Sequence, residues 1–189
     1  MDTVQVRVHL RTPRLLLRQF TGDDVDSLVA LDSDPEVMRY LSGGSPTPRE
    51  TVRDEVLPRM LDWHARSDSF GWWAAVGVSS GEFLGWFEFR PEHDPATVEL
   101  GYRLRTAAWG HGYATEGARA LIDNGFRVLG VRRVVASTMA VNTGSRRVLE
   151  KCGLRHVRTV HLDWPDPLPG SEHGDTEYAL DRVEWAATG

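Results

Sequence analysis

The sequence is poor in the residues on which disulfide-stabilised and metal-dependent proteins rely. It has a single cysteine, Cys152, so no internal disulfide can form. Because Cys152 stands at helical spacing from Val148 and Leu149, we interpret it as a small core residue and not as a nucleophile. The seven histidines show neither Cys/His pairing nor close helical spacing, so the sequence predicts no metal site.

Lysine is nearly absent. Lys151 is the one lysine, and the other 21 of the 22 basic residues are dispersed arginines. Together with a net charge of −5, this dispersal disfavours nucleic acid as a partner, because phosphate-driven binding needs clustered basic side chains. The acidic balance slightly favours cationic amine substrates through steering, although surface charge ordinarily serves solubility alone.

Long hydrophobic runs are also missing. No apolar stretch approaches the ~20 residues that a membrane-spanning helix needs, and residues 1–7 lack the charged-then-apolar pattern of a secretion signal. We therefore expect a cytoplasmic protein without a membrane partner. A length of 189 residues with 41% hydrophobic content suffices for one well-buried core but not for two large domains. We expect one α/β domain over residues 1–189.

The most informative segment that is present covers residues 105–114, with the sequence RTAAWGHGYA. It follows an alternating strand pattern and leads directly into a helical pattern. Gly110 and Gly112 allow consecutive backbone N–H groups to turn toward an anion, and the helix that follows adds unpaired amides and its positive dipole end. A pyrophosphate is the predicted ligand. A tight connection between two elements is the alternative interpretation of such a glycine pair.

Two other nucleotide-binding motifs fit this segment poorly. A dinucleotide fingerprint needs a third glycine where Thr115 stands, and a nucleoside-triphosphate loop needs Gly-Lys followed by Ser or Thr. A Rossmann-type oxidoreductase is therefore disfavoured.

The segments that flank the glycine loop narrow the choice of protein families that the loop resembles. Residues 109–116, WGHGYATE, resemble motif A of the GNAT acetyltransferases, Gln/Arg-x-x-Gly-x-Gly/Ala, with Trp109 at the first position. This departure resembles the RimJ/RimL branch, where Trp-Gly-x-Gly-Tyr-Ala-Thr-Glu is familiar. The similarity continues into residues 142–154, NTGSRRVLEKCGL, and extends from residues 12–18, TPRLLLR, to residues 175–180 and Glu184-Trp185.

The resemblance implies a fold of the α/β (α+β) class, a single GNAT-like domain. It has a mixed, mainly antiparallel sheet of about seven strands, helices on both faces, and splayed parallel fourth and fifth strands. Periodicity predicts strands at 14–19, 72–78, 82–90, 97–104, 133–138, 155–162 and 176–181, and helices that start near residues 23, 35, 50, 113 and 143. A bulge near Gly101 is expected to free backbone groups of the fourth strand for the pantetheine arm.

The fourth predicted strand has one apolar and one polar face, and the polar face consists of Thr97, Glu99, Gly101 and Arg103. A charged carboxylate in apolar surroundings is costly unless it is paired. We therefore interpret Glu99 as lining an internal cleft that holds the active site. The alternatives are a solvated edge and a structural ion pair with Arg103.

The resemblance implies an acetyl transfer from acetyl-coenzyme A to a primary amine by direct attack in a ternary complex. Glu99 is expected to accept the amine proton through water. Ser145 is expected to hydrogen-bond the departing thiolate, although an inward serine near a helix start also commonly bonds the backbone. The predicted cofactor-binding residues are Tyr102, Arg103, Leu104, Trp109, Gly110, His111, Gly112, Tyr113, Ala114, Thr115, Asn142, Ser145 and Arg147.

The acceptor is the least determined part of the prediction. A protein N-terminal amine follows from the RimJ/RimL similarity, and a small amine such as a polyamine or an aminoglycoside is the alternative. Four tryptophans either wall an acceptor pocket or belong to the core, namely Trp63, Trp72, Trp73 and Trp86. The loop at 163–170, DWPDPLPG, either folds over the acceptor or is solvated.

A non-catalytic acyl-coenzyme A sensor is the second class of function, and the presence of both Glu99 and Ser145 argues against it. The resemblance is compatible with a monomer and with a homodimer.

Overall fold

The structure, a computed structural model, describes residues 6–163 and 165–187. Its described residues form one sheet in the order β1-β2-β3-β4-β5-β6-β8-β7. All neighbouring strands run antiparallel except β5 and β6, which are parallel. The strands are β1 Val8–Arg11, β2 Leu15–Arg18, β3 Gly71–Gly77, β4 Phe83–Pro91, β5 Thr97–Leu104, β6 Arg133–Met139, β7 Arg155–Val160 and β8 Asp175–Asp181.

The mixed sheet confirms the predicted fold, with one strand more than expected. The additional strand is β1, an edge strand of four residues that pairs with β2. The segment VHLR is too short to show a clear alternation. Short edge strands are common because they limit edge-to-edge pairing with other chains. Because β1 comes first, the parallel strands are the fifth and sixth and not the fourth and fifth.

The parallel strands splay as predicted. Their pairing runs from Thr97 opposite Arg133 to Glu99 opposite Val135 and ends there, although β5 continues to Leu104 and β6 to Met139. Beyond Glu99 the two strands separate, and no strand among the described residues pairs with the side of β5 that faces β6.

The bulge predicted near Gly101 was wrong. The register between β4 and β5 is continuous from Gly85 opposite Leu104 to Pro91 opposite Val98. The irregularity lies one strand away, between β3 and β4. Backbone groups of β5 are exposed because β6 diverges, so no extra residue is needed.

The helices cover both faces of the sheet. Their bounds are α1 Val25–Asp32, α2 Pro35–Ser42, α3 Arg49–Thr51, α4 Leu57–Arg66, α5 Tyr113–Arg127, α6 Thr143–Lys151 and α7 Arg182–Ala186. A π-helical turn, Val52–Val56, joins α3 to α4. It ends two residues before Pro58, which lacks the N–H of a regular helical bond, so the predicted helix over 50–65 continues past the proline with altered winding.

Two hydrophobic clusters fill the space between the helices and the sheet. The larger cluster contains Trp73, Phe87 and Phe89 and packs under α5 and α6. The smaller cluster contains Trp72 and Trp86 and packs under α1 to α4. Because neighbouring residues of a strand point to opposite faces, these adjacent aromatic residues serve different cores. We call the side of the sheet under α1 to α4 the acceptor face, because the resemblance described above implies that these helices border the acceptor site. No helix within the described residues is long and apolar enough to cross a membrane.

Candidate active site

The glycine loop between β5 and α5 has consecutive backbone amides that are available to bind a ligand. Gly110 and Gly112 have φ angles of +77° and +82°, which only glycine adopts without strain. Gly112 caps α5 without a side-chain hydrogen bond. Over the described part of the chain, no hydrogen bond from an N–H of residues 110–115 is found. The positive dipole end of α5 adds to these donors, and the arrangement suits a phosphate group.

Arg14 braces this loop from the start of β2. Its Nη1 donates to the carbonyl oxygen of His111 at 2.8 Å, its Nε donates to Glu116 Oε2 at 2.6 Å, and its guanidinium carbon lies 4.7 Å from the ring centroid of Tyr113. Thr12 Oγ1 also donates to Glu116, at 2.6 Å. One arginine therefore connects the loop, the first turn of α5 and the neighbouring strand.

Trp109, at the position where the motif departs from Gln or Arg, has a defined contact. Its indole Nε1 donates to the carbonyl oxygen of Leu104 at 2.8 Å. The indole thereby ties the loop back to the last residue of β5 and satisfies a carbonyl that the divergence of β6 leaves without a strand partner.

The alternation of backbone hydrogen bonds along β5 decides which of its N–H and C=O groups face the gap, the space between β5 and β6 beyond Glu99. At the two ends of the ladder, Arg105 N donates to Leu84 O at 2.9 Å and Glu92 N donates to Thr97 O at 3.1 Å. Along an antiparallel strand, residues alternate between those whose backbone groups bond the neighbouring strand and those whose backbone groups point away from it. The N–H and C=O of Tyr102 and Leu104 therefore point away from β4 into the gap. The backbone of Arg103 points toward β4.

Ser145 lies beside this gap, on the side of α5 and α6. Its Oγ is 3.0 Å from Tyr102 Oη, which also donates to the carbonyl oxygen of Ser145 at 3.1 Å. Asn142 caps α6 as predicted, with its Oδ1 accepting from Ser145 N at 3.1 Å. Burial raises the pKa of Tyr102 well above its usual range, despite the opposing effect of the Ser145 hydrogen bond, so the phenol stays protonated. The structure brings Tyr102, Ser145 and Asn142 together.

The remaining predicted cofactor residues surround the loop and the start of α6. His111 and Arg147 are exposed, and the imidazole centroid of His111 lies 6.2 Å from that of the Tyr113 ring. The carbonyl oxygen of Thr115 accepts a contact of 3.7 Å from Cys152 Sγ. Burial raises the pKa of the Cys152 thiol to about 11, so this cysteine is a protonated core residue, as predicted.

Glu99 lies on the opposite side of the sheet from Ser145, on the acceptor face. It pairs with Arg90 Nη2 at 3.3 Å, and not with Arg103 as the structural alternative supposed. Its side chain is 38% exposed, so it is not deeply buried. Arg90 also pairs with Glu88 and lies 4.4 Å from the ring centroid of Trp72.

Arg103 is engaged elsewhere on the same face. Its Nη1 donates to Asp32 Oδ1 at 2.5 Å, and Thr47 Oγ1 donates to Asp32 Oδ2 at 3.0 Å. The guanidinium carbon of Arg103 lies 5.1 Å from the ring centroid of Trp86. The side chain of Arg103 therefore anchors α1 to the sheet instead of pointing toward the cofactor loop.

Trp72, Trp73 and Trp86 are core residues, and Trp63 packs against the core partly buried. Trp73 is fully buried under α5 and belongs to the core. Trp72 and Trp86 are buried on the acceptor face, and Trp63 meets Trp72 edge-on with 6.2 Å between the ring centroids. In the loop at 163–170, from which Trp164 lies outside the described residues, Leu168 Cδ2 is 3.4 Å from the position of a Cβ on Gly43, at the end of α2. The loop thus reaches the helices of the acceptor face.

Sequence reasoning missed three side chains at this site: Arg14, Glu88 and Arg90. Arg14 begins the first predicted strand, and the sequence pattern gives no sign of its contact with the loop. Glu88 and Arg90 carried a usable signal, because they are charged residues at alternate positions of the aromatic strand β4. Their partners became visible only with the register between β4 and β5, which places Arg90 opposite Glu99.

The comparisons with known proteins agree with this geometry. The family profile described as "Acetyltransferase (GNAT) domain" matches residues 14–155. The chain is 35% identical over 192 residues to FsC-acetyl coenzyme A-N(2)-transacetylase of Aspergillus fumigatus, covering 97% of this chain and 80% of the relative.

Solved structures show the same fold. RimL, a ribosomal L7/L12 alpha-N-protein acetyltransferase in complex with coenzyme A, aligns with a TM-score of 0.76 at 20% identity, covering 93% of this chain and 98% of RimL. Spermidine N-acetyltransferase from Vibrio cholerae, in complex with coenzyme A and spermine, aligns with a TM-score of 0.74 at 13% identity, covering 93% and 99% of the two chains.

A glycine loop at the start of α5, beside a splayed pair of parallel strands and in a chain with these relatives, defines a coenzyme A-dependent acyltransferase. The chain belongs to the GNAT family and is an N-acetyltransferase that uses acetyl-coenzyme A as its cosubstrate. Within the described residues, no group of three or more His, Cys, Asp or Glu side chains is placed to hold a metal ion.

Proposed function

We propose that this enzyme acetylates the primary amine of a small molecule. The support is the 35% identity over 97% of the chain to a relative whose name states transfer from acetyl-coenzyme A to an N(2) position. A protein N-terminal amine, as in a RimJ/RimL-like enzyme, is the second candidate. It is supported by residues 109–116, WGHGYATE, and by the shared fold with RimL.

The residues of the loop fit the pyrophosphate of coenzyme A. Both glycines leave open space, because a Cβ on Gly110 would meet nothing within 4 Å and one on Gly112 would meet only Arg14. We assign the diphosphate to the amides of residues 110–115 and to the positive end of α5, with Trp109 and Arg147 beside them. Asn142 would lie along the pantetheine arm, and the amides of Tyr102 and Leu104 would face the thioester carbonyl.

A protonated amine is not nucleophilic, so it must lose a proton before it attacks. We assign this proton to Glu99, through a water molecule. The hydroxyl of Ser145, held by Tyr102 Oη at 3.0 Å, would hydrogen-bond the sulfur as it leaves. Glu99 and Ser145 lie on opposite sides of the sheet. The pantetheine arm of acetyl-coenzyme A, placed in the gap between β5 and β6, would bring the thioester within reach of both residues.

Thiol release from acetyl-coenzyme A, measured across small primary amines and peptides with free N-termini, tests this proposal. We expect turnover with small amines and a clear loss of rate in Glu99→Gln. Turnover with peptides alone would favour the second candidate, and unchanged turnover in Glu99→Gln would remove Glu99 from the mechanism. Tight coenzyme A binding by calorimetry without thiol release would favour the non-catalytic sensor, and no binding at all would refute the proposal.

Cytoplasmic location, a domain over residues 1–189 and a monomeric or dimeric state stay predictions. Sedimentation of the purified protein would decide the last of these.

A further inference from the structure

We propose that Glu88 on β4 is a second catalytic carboxylate, which contacts the acceptor amine and takes its proton. This inference rests on the proposed function, since it concerns the acceptor side of the same site. Glu99 then receives the proton from Glu88 through water, so the two carboxylates act in sequence.

The position of Glu88 along the sheet carries the argument. Glu88 stands directly opposite Gly101 in the β4–β5 ladder, and its Oε2 lies 3.0 Å from the position that a Cβ on Gly101 would occupy. Gly101 precedes Tyr102, whose amide faces the gap. Glu99 lies two residues earlier, about 7 Å along the strand, where β5 is still paired with β6. Glu88 is therefore the carboxylate beside the open part of the gap.

Gly101 makes this approach possible. A Cβ at this position would stand 3.0 Å from Glu88 Oε2, which is closer than ordinary contacts, and 3.4 Å from Glu88 Cβ, which is at the limit of ordinary contact. Gly101 forms no bulge and instead leaves the space in which the carboxylate of Glu88 lies over the backbone of β5.

The surroundings of Glu88 suit a proton acceptor. Its side chain is 13% exposed, against 38% for Glu99. Burial raises the pKa of Glu88; the charge of Arg90 opposes this effect and the charge of Glu99 adds to it. A carboxylate with a raised pKa lies nearer the working pH and is a better base. Arg90 holds the side chain in place and itself packs on Trp72.

The proton inventory balances. The ammonium nitrogen of the acceptor loses one proton to a carboxylate oxygen of Glu88 and keeps the electron pair, with which it forms the bond to the acetyl carbon. The bond from that carbon to sulfur breaks, and its electron pair leaves with sulfur. A second proton from the nitrogen ends on the coenzyme A thiol, while Glu88 returns its proton through water and Glu99 to solvent.

A purely structural ion pair with Arg90 is the competing interpretation, and Glu88→Gln separates the two. We expect the acceptor kcat/KM to fall about 100-fold, with the dissociation constant for coenzyme A unchanged within about twofold. Glu99→Gln is expected to lose less. Glu177→Gln is the matched control, because Glu177 forms an Arg–Glu pair with Arg158 at the far edge of the sheet, and it should retain full activity.

The pH profile adds a readout that a structural role would not change. The acidic limb of kcat/KM should follow Glu88, whose charged neighbours are Arg90 on β4 and Glu99 on β5, with Arg59 of α4 over Trp72. Glu88→Gln should remove or displace this limb. If that variant does not fold, Glu88→Asp, which keeps the charge, should shift the limb and lower kcat without changing the KM for acetyl-coenzyme A.

A Glu88→Gln enzyme within threefold of the parent rate, with its acidic limb in place, would overturn this inference while leaving the proposed function intact. Absence of thiol release by the parent enzyme with every amine would instead refute the proposed function, and this inference with it.

Discussion

The cofactor loop and the acceptor face are built in different ways. The loop, with the amides that we assign to the diphosphate, lies within residues 105–116, a single strand-loop-helix connection. The acceptor face joins Asp32 of α1 to Arg103 of β5, and Glu88 and Arg90 of β4 to Glu99 of β5. The first region uses backbone amides whose direction is set by two glycines. The second uses charged side chains that meet only after the sheet and the helices have packed.

This difference predicts how the two regions respond to substitution. Changes in the loop should affect coenzyme A binding more than folding, because no other element depends on its free amides. Changes on the acceptor face should affect folding or turnover more than coenzyme A binding, because its charges compensate one another across elements.

The largest effect is expected for Asp32→Ala. The Asp32 side chain is 5% exposed and holds Arg103 at 2.5 Å, while Arg103 Nε already lacks a hydrogen-bond partner among the residues described. Removing the carboxylate leaves a largely buried, unpaired guanidinium, which should reduce the free energy of unfolding by about 3 kcal/mol. Urea unfolding measures this loss.

The control for this prediction is Asp32→Asn, which keeps an acceptor for Arg103 and for Thr47 and should lose less stability. Calorimetry of the folded variants should give a dissociation constant for coenzyme A within about twofold of the parent. A tenfold weaker binding would show that the two regions are not separable.

The same contrast explains what the sequence could predict. The loop, the capping of α6 by Asn142 and the polar face of β5 depend on neighbouring residues, and the pattern of glycines and apolar residues predicted them. The Arg90 partner of Glu99 and the Asp32 partner of Arg103 depend on strand register and helix packing. The alternative interpretation of Glu99, an ion pair with Arg103, was wrong because Glu99 pairs with Arg90 and Arg103 pairs with Asp32, each on another element. The short strand β1 was not predicted, because four residues are too few to show the alternation of apolar and polar side chains that indicates a strand.

The second effect, on the cofactor loop, is expected for Gly112→Ala. A φ of +82° costs an alanine about 1–2 kcal/mol, and relaxation of this strain would turn the amides at the start of α5 away from the ligand. We expect coenzyme A to bind about 30-fold more weakly, which corresponds to about 2 kcal/mol. Calorimetry of the folded variant measures it.

Gly130→Ala is the matched control, because Gly130 also has a positive φ, +74°, and a Cβ there would meet nothing within 4 Å. It should lose similar stability and keep its affinity for coenzyme A. Equal affinities in the two variants would contradict the assignment of the diphosphate to this loop.

The smallest effect is expected for Arg14→Gln, which tests a long-range support of an otherwise local region. The substitution removes the guanidinium bonds to the His111 carbonyl and to Glu116, so the loop loses its side-chain brace, while the bonds from the backbone N–H of residue 14 and from Thr12 to Glu116 remain. We expect an about tenfold higher KM for acetyl-coenzyme A, or about 1.4 kcal/mol, with kcat unchanged at saturation. Arg158→Gln breaks a similar exposed pair with Glu177 and should leave KM as it was. If Arg14→Gln also leaves KM unchanged, the loop holds its shape without the brace, and the cofactor region is as local as its sequence motif.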